Sequence, residues 1–180
     1  DSSTLNKYLK ENATLADVGT GAGFPGIPLK ILRPDIKVTL VDSLNKRINF
    51  LNEVIEKLNL EDIVTVHSRI EDFGKNKSYR EKFDYVTARA VANLAVLSEY
   101  LIPIAKIGGK CVCMKGSNVE EEIEFGKKAI NVLGGKIEKV DEFVLPDSDI
   151  SRNVIILSKI KNTPARFPRK AGIPSKEPLK

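Results

Sequence analysis

The sequence predicts an α/β domain: a mostly parallel twisted sheet with helices on both faces and an antiparallel strand at one edge. Three observations predict it. Strand-like and helix-like segments alternate from residue 15 onward. A glycine-rich turn joins the first strand to the first helix. The last two strand-like segments have no helix between them. Parallel neighbours need a long crossover, so the alternation reads as parallel and the final pair as antiparallel.

Leu15–Val18 is a short apolar strand ending at glycine. Phe24–Leu32 reads as a helix, with Pro25 and Pro28 confined to its first turn, where a missing N–H costs little. Lys37–Val41 is β-branched and strand-like. Asn45–Leu58 is an amphipathic helix with Ile48, Leu51, Ile55 and Leu58 on one face. Ile63–His67 is the third strand, and the residues after it read as a loop. Phe83–Thr87 is the fourth, followed by an apolar helix over Asn93–Ile102. Lys110–Lys115 is the fifth. Ser117 then opens a helix, with Glu120 completing a capping box, and Gly134–Gly135 end it. Lys136–Val144 and Asn153–Lys159 are the last strands, joined by a turn-like stretch, residues 146–152.

The chain has 180 residues, 42% of them hydrophobic, which suits one compact domain with its own core. No apolar run is long enough to cross a bilayer, and no signal-peptide pattern opens the chain. Cys111 and Cys113 would share one face of a strand, too close for a bridge, and read as reduced core thiols. With His67 the only histidine and no second cysteine pair, no metal site is expected. These features fit a cytoplasmic protein.

The net charge of +5 comes wholly from residues 161–180, where Lys161, Arg166, Arg169, Lys170, Lys176 and Lys180 face one acid, Glu177. Pro164, Pro168, Pro174 and Pro178 exclude a helix or a central strand there. Residues 1–160 are therefore read as the domain and 161–180 as a basic, proline-rich tail. The tail is either a solvated terminus or an arm that meets phosphates.

The first strand runs into Asp17-Val-Gly19-Thr-Gly21-Ala-Gly23-Phe24-Pro-Gly26. Glycines there allow positive φ and close approach to a ligand, and the following helix presents free N–H groups. The run does not match G-x-G-x-x-G, because Phe24 occupies the sixth position. The alternation acidic-x-Gly-x-Gly-x-Gly resembles the first motif of class I methyltransferases, whose Rossmann-like sheet also ends in an antiparallel hairpin. That resemblance implies S-adenosylmethionine, whose zwitterionic end would meet Asp17 and the loop amides. Asp42, closing the second strand, could accept from both ribose hydroxyls, a role it would serve equally for a nicotinamide cofactor. Ile70 and Glu71, after the third strand, could read the adenine edge through their backbone. His67 reads as a strand-end packing residue.

The acceptor is argued at the ends of strands four and five. No Asn/Asp-Pro-Pro-aromatic motif follows Phe83, which disfavours exocyclic amines, and cysteines inside a strand disfavour cytosine C5. A ring nitrogen with a free lone pair, such as guanine N7, needs only alignment. Arg89 and Lys115 are the candidates to hold guanine or to shape the cofactor pocket.

Three separated runs, Asp17–Pro28, Val86–Ala92 and Pro168–Pro174, together resemble the bacterial 16S ribosomal RNA guanine-N7 methyltransferases, also called glucose-inhibited division protein B. The resemblance implies cofactor contacts at Gly19, Phe24, Ile70, Glu71 and Arg89. It also implies a guanine in 16S ribosomal RNA or the small ribosomal subunit as substrate, and RNA contacts from Arg166, Arg169 and Lys170. Members of the family carry a helical segment ahead of the first strand, most of which the 14 residues here do not supply. A monomer is expected. The alternatives are a class I methyltransferase with another RNA or small-molecule acceptor, a nicotinamide dehydrogenase, and a non-catalytic RNA-binding protein.

Overall fold

A computed structural model describes residues 1–89, 92–116 and 119–179 of the chain. Seven strands form one sheet: β1 (Thr14–Val18), β2 (Lys37–Asp42), β3 (Ile63–His67), β4 (Phe83–Arg89), β5 (Ala105–Lys115), β6 (Gly135–Val144) and β7 (Ser151–Lys159). Their spatial order is β3-β2-β1-β4-β5-β7-β6. The first five are parallel, and β7 runs antiparallel to both β5 and β6. The antiparallel pairing lies on the predicted side of the sheet, with β7 inserted one place in from the outermost strand.

Helices α1 (Gly26–Leu32), α2 (Asn45–Lys57), α3 (Ile70–Lys75), α4 (Leu94–Leu101), α5 (Glu120–Leu133) and α6 (Ile173–Lys176) follow in chain order, and a 3-10 helix over Ser2–Tyr8 precedes β1. Alternation along each strand sends neighbouring side chains to opposite faces and creates two cores. Leu15, Val38, Leu40, Val112 and Ile156 pack with Leu29 and Leu51 of α1 and α2. Ala16, Val18, Val86, Ile155 and Leu157 pack with α4, α5, Phe73 and Phe167. Cys111 and Cys113 lie together in the second core, free and fully buried, and burial raises both thiol pKa values.

Several element boundaries differ from those the sequence predicts. The first helix starts at Gly26, because Phe24 belongs to the turn and Pro25 is its non-helical cap. α2 ends one residue early, and Leu58 lies half exposed beyond it. α3 replaces the expected loop; its six residues are too few for a periodic signal. β5 starts five residues earlier than predicted, through Gly108 and Gly109, which mask its strand character. Ser117 lies outside the described residues; α5 begins at Glu120, and its cap Val119 makes no side-chain hydrogen bond.

The tail is the largest correction. It folds back against the domain with Thr163, Phe167, Pro168 and Pro174 buried, and it includes the one-turn helix α6. Pro174 is tolerated there because it occupies the first turn. β7 delivers the chain to the N-terminal end of the parallel strands. Lys159, fully buried, donates there to Ile102 O at 2.7 Å and Thr163 Oγ1 at 2.6 Å, and pairs with Glu81 at 3.0 Å. Arg80 then donates to the carbonyls of Thr163 and Phe167, at 2.8 and 2.6 Å. Pro168 lies over Gly74 of α3.

Candidate active site

Strand order reverses between β1 and β4, and open α/β sheets place ligands at the carboxyl ends of the strands flanking that point. The glycine loop leaves β1 there. Gly19, Gly21 and Gly23 all have positive φ, 66°, 62° and 95°, a region that side-chain-bearing residues avoid. The loop closes on Asp17, whose Oδ2 accepts from Thr20 Oγ1 at 2.7 Å and Gly26 N at 2.8 Å. Gly26 has no side chain because Asp17 and Leu40 fill its space. Asp17 is fully buried, and Oδ1 has no hydrogen-bond partner among the described residues. Burial raises this carboxyl to about 7, against the opposing pull of its two donors and Arg89.

Four of the loop amides bond within the loop and its neighbours. Gly21 N donates to Asp42, Gly23 N and Phe24 N to Thr20 O, and Gly26 N to Asp17. Those amides are spent internally, while Asp17 Oδ1 is the buried side-chain acceptor without a partner among the described residues. Asp42, also buried, accepts from Gly21 N at 3.0 Å, Leu44 N at 2.9 Å and Arg47 Nη1 at 3.3 Å. Its three donors fix the carboxylate and tie β2 to the glycine loop.

One cleft of about 400 Å³ brings together Gly19, Asp42, Ile70, Glu71 and Arg89. Gly21 and Gly23 shape the turn behind it. The backbone of Ile70 and Glu71 forms the first turn of α3, so their N–H groups begin a helix and have no partner in the preceding turn. His67 closes β3 with Nε2 3.0 Å from Ser43 O and lines no described cleft.

A second cleft of about 450 Å³ lies beside the first, walled by Ala92, Leu97, Met114, Lys115 and Gly116, and Arg89 lines both. The Arg89 guanidinium sits 5.2 Å from the centre of the exposed Phe24 ring, a cation–π contact. Lys115 is no solvated strand end: its ammonium donates to Ala92 O at 2.6 Å and Glu122 Oε1 at 2.9 Å. With those partners it shapes the wall, whereas Arg89 makes no side-chain hydrogen bond among the described residues.

The three tail cations separate. Arg166 and Lys170 are exposed, with Arg166 over the Phe167 ring at 4.9 Å. Arg169 is turned inward. Its backbone N and guanidinium donate to Glu99, a fully buried carboxylate on α4, at 2.7–3.2 Å. Three hydrogen bonds from the side chain and one from the backbone N, all to one carboxylate, commit Arg169 to the protein. Gly172 N donates to Glu71 Oε1 at 2.8 Å, and Tyr100 OH lies 2.8 Å from Ser175 Oγ. Tyr100, Gly172, Ser175, Arg47 and Arg69 line the first cleft, and sequence reasoning missed them all. Only the cluster of tail prolines hinted that the segment was built.

Among the described residues no group of three or more His, Cys, Asp or Glu side chains could hold a metal ion, and no helix is long and apolar enough to cross a membrane.

Comparison with known proteins bears on this cleft. Residues 1–154 match the family model GidB, described as rRNA small subunit methyltransferase G. The chain is 57% identical over 180 residues to the ribosomal RNA small subunit methyltransferase G of Acetivibrio thermocellus, covering 99% of this chain and 74% of that protein. It is 55% identical over 176 residues to the protein of the same name from Lactobacillus acidophilus, covering 98% and 73%. Among solved structures, the fold is similar to a crystal structure of a SAM-dependent methyltransferase from Aquifex aeolicus, with a TM-score of 0.63 at 22% identity over 87% of this chain and 89% of that one.

Proposed function

Because the chain belongs to the rRNA small subunit methyltransferase G family, we propose that it transfers the methyl group of S-adenosylmethionine to N7 of a guanine in 16S ribosomal RNA. The observation that carries the reading is the cleft uniting Gly19, Asp42, Ile70, Glu71 and Arg89, next to a glycine loop whose buried Asp17 has one oxygen, Oδ1, without a partner among the described residues.

The residues fit that cofactor. Asp17 offers a buried acceptor to an ammonium group, Asp42 a fixed acceptor to ribose hydroxyls, and the start of α3 offers backbone groups to an adenine edge. Phe24, beside Arg89, covers the loop. Bound there, the cofactor supplies an electrophilic methyl group on a sulfonium sulfur.

Guanine N7 carries a free lone pair, so the chain needs no base to remove a proton. Among the described residues neither cleft is lined by a histidine or a cysteine. Arg89, shared by both clefts, holds the guanine edge, since an arginine can donate to O6 and N7 of that base. With N7 the nucleophile, it is the O6 donation that persists during transfer. Lys115 fixes the wall through Glu122. Arg166 and Lys170, with Arg69 at the cleft mouth, meet RNA phosphates; Arg169 is reassigned to the protein interior. The enzyme works in the cytoplasm as a monomer, on 16S ribosomal RNA or the small subunit.

Titration calorimetry with S-adenosylmethionine and with NAD tests the cofactor: binding of NAD alone overturns the reading. Mapping methylated bases in RNA from cells lacking the gene tests the acceptor: a lost 7-methylguanosine in 16S RNA is expected, and loss of a different base sinks the N7 assignment.

A further inference from the structure

The tail segment from Arg169 to Ser175 reaches the cofactor cleft from outside the sheet. Gly172 and Ser175 line it together with Gly19, Ile70, Glu71 and Tyr100. This is a built contact. Glu71 acts at both ends: its backbone opens α3 within the cleft, and its carboxylate accepts the Gly172 N–H at 2.8 Å. Tyr100 and Ser175 share a hydrogen bond at 2.8 Å.

Behind this wall stands the Glu99–Arg169 pair. Glu99 has no exposed surface, and among the described residues every hydrogen bond it accepts comes from Arg169. A carboxylate buried without a partner is strongly unfavourable. Lifting the tail would strand Glu99, so the pair pins residues 169–172 in one place and thereby sets where Gly172 and Ser175 stand.

We propose that Arg169 is a positioning residue for cofactor binding: clamped by Glu99, it holds the 172–175 segment as the outer wall of the cofactor cleft, against the start of α3. The proposal rests on the assignment of this cleft to S-adenosylmethionine. It assigns the tail a part in the cofactor site, besides any contact its exposed cations make with RNA.

Binding of S-adenosylhomocysteine, measured by calorimetry on the full chain, tests it without needing turnover. Arg169→Ala should raise Kd at least tenfold. Arg169→Lys should restore part of the loss, because a lysine makes one contact where the guanidinium makes a fork. Trypsin supplies a second readout on the unaltered protein. Saturating S-adenosylhomocysteine should slow cleavage after the exposed Lys170 about tenfold, while cleavage after Lys106, at the opposite end of the sheet, stays constant. If Arg169→Ala does not fold, the protection experiment decides alone. Absence of binding by the unaltered protein would overturn the cofactor assignment and this inference with it. Normal binding with an unchanged Kd in folded Arg169→Ala, or with no selective protection of Lys170, overturns this inference and leaves the cofactor assignment standing.

Discussion

The Gly21 N–H donates to Asp42 Oδ2 at 3.0 Å, so the last residue of the second strand holds the glycine loop in its left-handed turn. In the proposed function Asp42 has a second duty, toward a ribose. Asp42→Ala removes both. A hydrogen bond to a charged group contributes about 1.5–3 kcal/mol, so affinity for S-adenosylhomocysteine should fall at least tenfold. Asp42→Asn keeps an acceptor for the loop and should lose less. Calorimetry on both variants checks this, and an unchanged Kd in Asp42→Ala would remove the residue from the site.

Asp17 should link cofactor binding to pH. Burial raises its carboxyl to about 7. Between about pH 4 and pH 7 the folded protein binds a proton that an unfolded chain, with an ordinary carboxylate, has released. Its contribution to stability therefore declines as pH rises through that window. An ammonium group placed against Asp17 favours the carboxylate, so binding near pH 7 should expel a fraction of a proton. Titrations in buffers of different ionisation enthalpy should reveal that release, and Asp17→Asn should abolish it.

Gly26→Ala should damage the loop from behind. The added methyl would lie 2.9 Å from Asp17 Oδ2 and collide with Leu40. Overpacking of this kind costs about 1–3 kcal/mol, which lowers Tm by several degrees in a domain of this size. Thermal melts with and without cofactor would show both a less stable protein and a smaller ligand-induced shift. A full ligand shift would mean that the loop tolerates displacement.

The tail cations should divide by function. Arg166→Gln with Lys170→Gln should weaken RNA binding and flatten its salt dependence, by about 0.7 in log–log slope for each single-strand phosphate no longer neutralised. Cofactor affinity should stay the same. A slope identical to that of the unaltered protein would make those two side chains solvated surface.

The parallel core of the fold was legible because its signals are local. Alternating apolar residues in β2 and β3 and the glycine run after β1 each declare themselves within a few residues. Asp17, Gly19 and Asp42 could be singled out for the same reason. What escaped was made by pairs far apart in the chain. Nothing near Glu99 announces that a buried carboxylate will meet Arg169, 70 residues later. Nothing near Lys159 announces Glu81. Composition made the tail look solvated, since lysine, arginine and proline are usually exposed. Its buried members, Thr163, Phe167, Pro168 and Pro174, are too few and too irregular to register as a pattern.

The insertion of β7 between β5 and β6 has a consequence for synthesis on the ribosome. Among the described residues β6 pairs with β7 alone and emerges before it, so the edge of β5 waits until residue 159 has been made. The segment that walls the cleft emerges later still. Gly19 and the much later Gly172 and Ser175 line the same cleft, so a nascent chain halted after β7 would carry a complete sheet and an unfinished cleft. If that cleft holds the cofactor as proposed, a product truncated before the tail should compete poorly for it.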